Sequence, residues 1–340
     1  LRAEPCFSLT LEIRTCLRAE PCFSLTLEIS NMAEANLSAE LRVNTESGRS
    51  IKKAIIPIAG LGTRFLPLSK NLPKELWPLI DKPVIQYIVE EAKAAGIEEI
   101  LFVISSDKKV VLDYFKPSPK VEKILKERKK TALLEELKKL QDLTDGLSIH
   151  FVFQKQPLGD GHAVLQGKKF AGNDPCAVFW GDDIVDSEMP CILQLSKVFK
   201  TCQKPVFALH RIPRERISAY GVVDAEKIAS RFYKIKRIVE KPPVDKAPSD
   251  LAIVGKYILT PEVFEYLEKA KPSEKGEIIM AEVFDEMLKD GKVIYGYEFE
   301  GEWVECGNKE TWIMANVYFA LKHKELGPKL KKFIKDNMRI

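Results

Sequence analysis

An α/β fold with a mainly parallel central sheet and a β-rich region beside it is what this sequence predicts, on three observations. Short β-branched runs alternate with amphipathic helical segments over residues 53–210. The first such run empties directly into a glycine-rich turn. From about residue 220 the rhythm changes to β-like segments joined by short connections. Strands alternating with helices imply right-handed crossovers and a parallel sheet covered on both faces.

Each element has a local reason. Lys53–Ile58 (KAIIPI) is the kind of run found in a strand buried on both faces. Pro83–Ala95 carries an apolar stripe at Val84, Ile85, Ile88, Val89 and Ala92, and Gly96 is its stop signal. Ile100–Ile104 is the next buried strand. Val121–Leu140 is charged and rich in helix formers, which reads as a pair of surface helices whose basic run Lys126–Lys130 is a solvated face. His150–Gln154, Ala177–Trp180 and Pro205–His210 are strands, alternating with helices over His162–Phe170 and Cys191–Thr201. Beyond them, Tyr220–Asp224, Tyr233–Glu240 and Leu251–Leu259 are predicted to add mixed strands beside the parallel core. Helices follow at Val263–Ala270 and Ala281–Lys289, then strands at Val293–Phe299 and Glu302–Val304. The last two helices fall at about Glu310–Lys324 and Pro328–Met338. No Pro- or Gly-rich linker divides this region, so residues 51–340 read as one domain.

Composition excludes several classes. With 340 residues, 45% hydrophobic and 30% charged, the chain can bury a full core without disulfides or metals. A formal charge of +4 is too small to argue for nucleic acid, and no apolar run is long enough to span a bilayer. The basic C-terminal helix, with Lys329, Lys331, Lys332 and Lys335, is a charge run and nothing more. Seven cysteines lack paired or metal-ligand spacing and read as free thiols of a reducing cytosol.

The N-terminus is anomalous. Leu1–Ile13 (LRAEPCFSLTLEI) recurs word for word as Leu17–Ile29. Two identical short copies do not make a structural repeat, which needs at least about three stacked units. They suggest a recent duplication or upstream sequence read through into the chain, with Met32 as a candidate start. Glu4, Glu12 and Glu20 interrupt the apolar stretches a signal peptide would need. Residues 33–50 are polar and short of core residues, so residues 1–50 are expected to be a disordered or spurious extension.

The chemistry starts where the first strand ends. Ala59-Gly60-Leu61-Gly62-Thr63-Arg64 sits where open α/β sheets bind ligands, beyond a strand's carboxyl end. Glycines let backbone amides close on an anion, and Arg64 adds a planar fork of donors for phosphate oxygens. A lone GxG is equally a tight strand-to-helix turn. It is not a dinucleotide fingerprint, since Phe65 occupies the third glycine's place, nor a P-loop, since Gly-Lys-Ser/Thr is absent. Lys74, within Pro73-Lys74-Glu75-Leu76, lies close enough in sequence to join such a phosphate site.

The run AGLGTRFLPLSKNLPKELWPLIDKPVIQYIVEEA (Ala59–Ala92) closely resembles the opening of bacterial UTP–glucose-1-phosphate uridylyltransferases, of the sugar nucleotidyltransferase family. Further blocks follow in order: Gly161–Val164, Gly181–Ile184, Ala219–Val223, Val239–Pro242, PSDLAIVGKY at Pro248–Tyr257, and Cys306–Lys309. The resemblance implies a Rossmann-like, glycosyltransferase-A-like nucleotidyltransferase fold with a β-rich sugar-binding region. It implies a cytoplasmic Mg²⁺-dependent enzyme, a homo-oligomer of two or four chains, joining UTP and glucose 1-phosphate into the UDP-glucose used for envelope polysaccharides. It further implies that Ala59, Gly60 and Gly62 hold base and phosphates, that Arg64 binds the leaving phosphates, and that Lys74 binds the α-phosphate. Gln154 and Gly159 would read the uracil edge. Gly221 and Glu240 would hold glucose hydroxyls, and Lys241 the sugar's phosphate. Asp182, ending a buried strand, would hold the metal, which takes oxygen ligands and few protein carboxylates.

Two positions depart from the family pattern. Glu305 stands where an aspartate usually precedes Cys-Gly-Asn, so its carboxylate reaches one methylene farther as a second metal ligand. Asp160 replaces an apolar residue and is expected to face solvent. Asp183 is expected to turn away from Asp182, and His162 is read as structural because an ionised sugar phosphate needs no general base. The rivals are a thymidylyltransferase or another sugar-1-phosphate nucleotidyltransferase, and a non-catalytic regulatory homologue. The latter would be marked by loss of Arg64, Lys74, Asp182 or Lys241, all of which are present.

Overall fold

The computed structural model describes residues 50–338. The duplicated segment and the polar stretch up to residue 49 lie outside the described residues. The strands are β1 (Lys53–Pro57), β2 (Pro78–Leu79), β3 (Lys82–Pro83), β4 (Glu99–Ile104), β5 (Ser148–Phe153), β6 (Cys176–Phe179), β7 (Asp183–Asp186), β8 (Val206–Arg211), β9 (Gly221–Ala229), β10 (Phe232–Glu240), β11 (Leu251–Leu259), β12 (Tyr295–Glu298) and β13 (Glu302–Glu305). The helices are α1 (Val84–Ala94), α2 (Lys109–Tyr114), α3 (Pro119–Glu127), α4 (Thr131–Thr144), α5 (Asp160–Leu165), α6 (Lys168–Ala171), α7 (Cys191–Cys202), α8 (Pro261–Lys269), α9 (Met280–Lys289), α10 (Lys309–Lys322) and α11 (Leu326–Asn337).

One nine-stranded sheet runs in the order β5-β4-β1-β6-β11-β8-β12-β10-β9. It is a mixed sheet. The β5-β4-β1-β6 half is parallel, whereas β11 lies antiparallel to both β6 and β8, and β10 antiparallel to both β12 and β9. The mainly parallel sheet expected from the sequence therefore describes that half, and beyond it only β12 and β8 run parallel. Connectivity explains β9 and β10, which a tight turn joins as antiparallel neighbours.

The core lies on both faces. Period-two alternation sends Ala54 and Ile56 of β1 to one face, with α1 and α7, and Ile55 to the other, with α5, α8 and α9. Ile55 and Ile56 are wholly buried, so truncating either to alanine would cost about 2–5 kcal/mol. The stop at the end of α1 works as expected. Gly96 takes φ +84°, and the Gly96 and Ile97 amides donate to Lys93 and Ala92 carbonyls.

Three local readings needed revision. The helix predicted over His162–Phe170 is broken into α5 and α6 at Gly167, where a Cβ would stand 2.4 Å from Ile55 Cδ1. Helix α2 and strand β7 carry too few residues for a legible period. Strand β13 leaves the main sheet altogether and pairs with β7, setting Glu305 opposite Asp183.

Candidate active site

Because β1, β4, β5 and β6 are parallel, their carboxyl ends share one edge, and the loops leaving β1, β5 and β6 rise together there. The β9–β10 pair begins and ends at the same level, since Gly221 is opposite Glu240 and Val222 opposite Ala252. Between these loops lies a cavity of about 1450 Å³. Ala59, Gly60, Gly62, Arg64, Lys74, Gln154, Gly159, Asp182, Gly221, Glu240, Lys241 and Glu305 all line it. The structure thus gathers every site residue read from the sequence around one space.

The β1 loop is shaped by Gly62. Its φ of +64° starts the single turn Thr63–Phe65, and its carbonyl accepts a hydrogen bond of 2.9 Å from Ser69 Oγ. Phe65 is buried against Trp77, which leaves Arg64 exposed toward the cavity. A second short turn, Lys74–Leu76, aims Lys74 at Asp182, and the two form an ion pair. Burial opposes charge on both groups. Their mutual attraction outweighs it, raising the Lys74 pKa and holding the Asp182 carboxyl below its ordinary range, with Arg64 adding to the latter effect.

The cationic and acidic ends converge on Gly307. A Cβ there would stand 3.0 Å from Glu305 Oε1, 3.1 Å from Asp182 Oδ2 and 3.3 Å from Arg64 Nη1. Glu305 does not stand alone, for it accepts from Tyr220 Oη at 2.5 Å and from Arg216 Nη2 at 3.0 Å. Asp183 turns to Trp303, whose Nε1 donates at 2.7 Å. Burial and the charge of Asp182 push the Asp183 carboxyl up to about 7. Among the described residues no three His, Cys, Asp or Glu side chains form a closed metal cage. Two carboxylates directed at one point suit an oxygen-seeking cation that completes its shell with phosphate and water.

At the wall predicted to hold the sugar, Lys241 adopts φ +44° and donates its amide to Tyr220 O at 3.1 Å, while its Nζ pairs with Glu240 Oε1 at 3.0 Å. A side chain at Gly221 would meet Glu240 Oε2 at 3.0 Å, so glycine keeps this wall open. At the wall predicted to read the base, the Gln154 amide donates from Nε2 to Gly159 O at 3.0 Å and lies 3.0 Å from His162 Nδ1.

Asp160 does not simply face solvent. Although exposed, its Oδ1 accepts from Gly161 N at 2.7 Å and Met280 N at 3.0 Å, so it ties the base-side loop to the start of α9. Sequence reasoning also missed Glu75. It is 1% exposed and takes two hydrogen bonds from Lys108, itself 4% exposed, at 2.9 and 3.0 Å. The pair joins the Lys74 turn to the end of β4, and only the tertiary fold reveals the partner. Arg216 and Trp303, and the wall at residues 273–282, carried no signal of their own, and Tyr220 lay in a family block without a role assigned to it.

A family profile described as nucleotidyl transferase matches residues 53–320, nearly the whole described sheet and its helices. The chain belongs to the nucleotidyl transferase family. Among curated nucleotidyl transferase relatives, the UTP–glucose-1-phosphate uridylyltransferase of Bacillus subtilis (strain 168) is 43% identical over 286 residues, 84% of this chain and 97% of that protein. The enzyme of the same name from Staphylococcus haemolyticus is 44% identical over 288 residues, 85% of this chain and 99% of that one. Among solved structures, UTP-bound UGPase from Acinetobacter baumannii superposes with a TM-score of 0.78 at 34% identity, covering 84% of this chain and 99% of that one. No helix among the described residues is long and apolar enough to cross a membrane.

Proposed function

We propose that this nucleotidyl transferase joins UTP to glucose 1-phosphate, releasing pyrophosphate and UDP-glucose. The observation that carries the reading is the single cavity in which Arg64, Lys74, Asp182, Lys241 and Glu305 meet. A phosphate oxygen of the sugar attacks the α-phosphorus of UTP. A P–O bond forms there, and the α–β P–O bond breaks, its electron pair leaving with pyrophosphate. The attacking oxygen is already ionised, so no residue has to remove a proton. What the site must overcome is the repulsion between two anions, and preorganised cations do this best in a water-poor cleft. Arg64 and the backbone of Ala59, Gly60 and Gly62 hold the leaving phosphates, and Lys74 holds the α-phosphate. Lys241 grips the incoming phosphate, while Gly221 and Glu240 position the glucose ring.

Asp182 and Glu305 fit Mg²⁺, and they are the residues that would hold it. The ion supplies charge neutralisation at the reacting phosphates. For Glu305 to take part, it must exchange Tyr220 and Arg216 for the cation. Glu305→Asp removes that reach while keeping the charge. If Glu305 is a ligand, the shorter variant retains activity with an altered Mg²⁺ requirement. The deciding experiment measures pyrophosphate release from glucose 1-phosphate with UTP, dTTP, CTP, ATP and GTP, with and without Mg²⁺. Release that favours UTP and needs the metal supports the proposal, and absence of release with UTP refutes it.

A further inference from the structure

The base side of the cavity holds a hydrogen-bond chain that the proposed reaction does not use. Gln154 follows β5, and its backbone amide donates to Ile104 O at 2.9 Å, so its main chain continues the sheet edge. Its side chain is a terminal amide, whose oxygen and NH₂ ends have nearly the same shape and opposite hydrogen-bonding character. A half-turn of that amide inverts what it offers a ligand. Gly159 O, 3.0 Å from the amide, can only accept, so the end facing it is NH₂. The same nitrogen lies 3.0 Å from His162 Nδ1. An NH₂ group cannot accept there, so Nδ1 must be the acceptor and the ring's proton resides on Nε2. Gln166 Nε2 lies 3.2 Å from that second nitrogen and 3.2 Å from His162 O, so two NH₂ groups compete for the ring's one acceptor; the shorter contact, from Gln154, takes it, and the Gln166 amide must turn its oxygen to the Nε2 proton. Burial pushes the His162 pKa down, which favours the neutral ring that keeps Nδ1 an acceptor.

The carbonyl acceptor is held by the backbone around it. Gly159 has φ +97°, and a Cβ there would stand 2.5 Å from Ile278 O. On either side of Gly159, Leu158 O accepts from Ile278 N at 2.8 Å and Gly161 N donates to Ile278 O at 2.9 Å. Gly159 O and His162 Nδ1 therefore take both N–H bonds of the Gln154 amide, and Oε1 is left as the end that faces a ligand in the cavity that Gln154 lines.

We propose that His162 is a specificity-determining positioning residue: through Nδ1 it locks the Gln154 amide so that Oε1 accepts from the nucleotide base, selecting pyrimidines that carry a proton on N3. The inference rests on the nucleotide-binding reading of this cavity. Uracil and thymine have an N3–H to donate. Cytosine presents a bare N3 and would meet an oxygen lone pair. Leaving a built polar group facing its own kind discriminates strongly between ligands of one size. Discrimination against cytosine is thus a property of the Gln154–His162 pair, and discrimination between uracil and thymine is not.

The test measures dissociation constants for UTP and CTP, together with kcat and the KM for glucose 1-phosphate, in wild type, His162→Phe and His162→Asn. Phenylalanine fills the ring's volume without an acceptor, whereas the Asn Oδ1 can stand in for Nδ1. The expected result is a UTP-over-CTP binding ratio that narrows about tenfold in His162→Phe, the scale of one neutral hydrogen bond, and recovers in His162→Asn. The KM for glucose 1-phosphate stays unchanged. An unchanged ratio in folded His162→Phe overturns the proposal. Nitrogen-15 NMR of the wild-type imidazole tests it without any variant: a proton on Nε2 is expected, and one on Nδ1 overturns the assignment. Should the wild type bind both nucleotides yet release no pyrophosphate, the reaction proposed above fails while the binding ratio and the NMR still judge His162.

Discussion

Lys74 and Asp182 meet side chain to side chain although 108 residues separate them. One sits on a short turn after the glycine loop that follows β1, and the other in the link between β6 and β7, not on the strand end expected from the sequence. The pair fixes the position of a cation and a carboxylate before any substrate arrives, at a place where a cavity wall excludes much of the water. In the reaction proposed above, a cation bound at Asp182 would free Lys74 for a phosphate oxygen.

Asp182→Asn keeps the side chain's volume and removes its charge. Turnover in the pyrophosphate assay is expected to fall by more than about 10²-fold, the scale of losing one preorganised charged contact. Lys74 would be left without its counter-ion, and thermal unfolding should register a loss of about 1–3 kcal/mol. Turnover within a few-fold of wild type would remove Asp182 from the reaction.

Gly159→Ala should be among the most damaging single-methyl changes on the base side. The residue's φ of +97° disfavours any side chain, and the new Cβ would lie 2.5 Å from Ile278 O and 2.8 Å from Ile278 N. Both obstacles are backbone, which cannot rotate away. A stability loss of about 2 kcal/mol or more is expected, from strain plus displaced backbone hydrogen bonds. UTP affinity should drop with it, measured by titration calorimetry. A variant that binds UTP normally would contradict the placement of this loop.

The Glu75–Lys108 pair is closed off from solvent on both sides. Removing one partner strands a buried charge, so Lys108→Met should cost about 3–5 kcal/mol in urea unfolding. The double variant Lys108→Met with Glu75→Leu should recover much of that loss, because no charge remains to be desolvated. A double variant as unstable as the single one would argue that the pair matters through shape alone.

Asp186 gives a pH dependence with a definite sign. Its carboxylate accepts from Tyr318 Oη at 2.6 Å and pairs with Lys322, tying β7 to α10. Burial opposes the charge, but the hydrogen bonds from Lys322 and Tyr318 outweigh it and leave the folded pKa below its ordinary value. The unfolded carboxyl titrates near about 3.9, so the stabilisation is present above that pH and is lost as pH falls through the lower folded value. Asp186→Asn is expected to cost about 1 kcal/mol at neutral pH, because Lys322 is largely exposed and its charge is screened. The gap should close below about pH 4. An equal gap at both ends of a urea series run against pH would sink this account.

Much of the fold was legible because local rules governed it. The buried run Lys53–Ile58 could only be a central strand, and Gly96 ended α1 where its backbone had to turn left-handed. The mixed character of the sheet was harder to read, since nothing in β11 states which neighbour it will accept. Gly167 falls inside the single helix predicted over His162–Phe170, yet Ile55 stands where a side chain there would go. Asp160 looked solvent-bound because its partner, the Met280 amide, lies 120 residues away.

The sequence by itself determined the identities and order of the chemical groups: a glycine turn with an arginine, two lysines beside apolar segments, and an acid closing a buried strand. Their convergence was decided by the tertiary structure. Parallel strands carry the loops of Arg64 and Asp182 to one edge whatever the sequence distance, and the separate β13–β7 pairing adds Glu305, so that a Cβ at Gly307 would lie within 3.3 Å of all three side chains. Periodicity and composition report what a segment will bury. Which charge answers which depends on contacts between segments that no local pattern encodes.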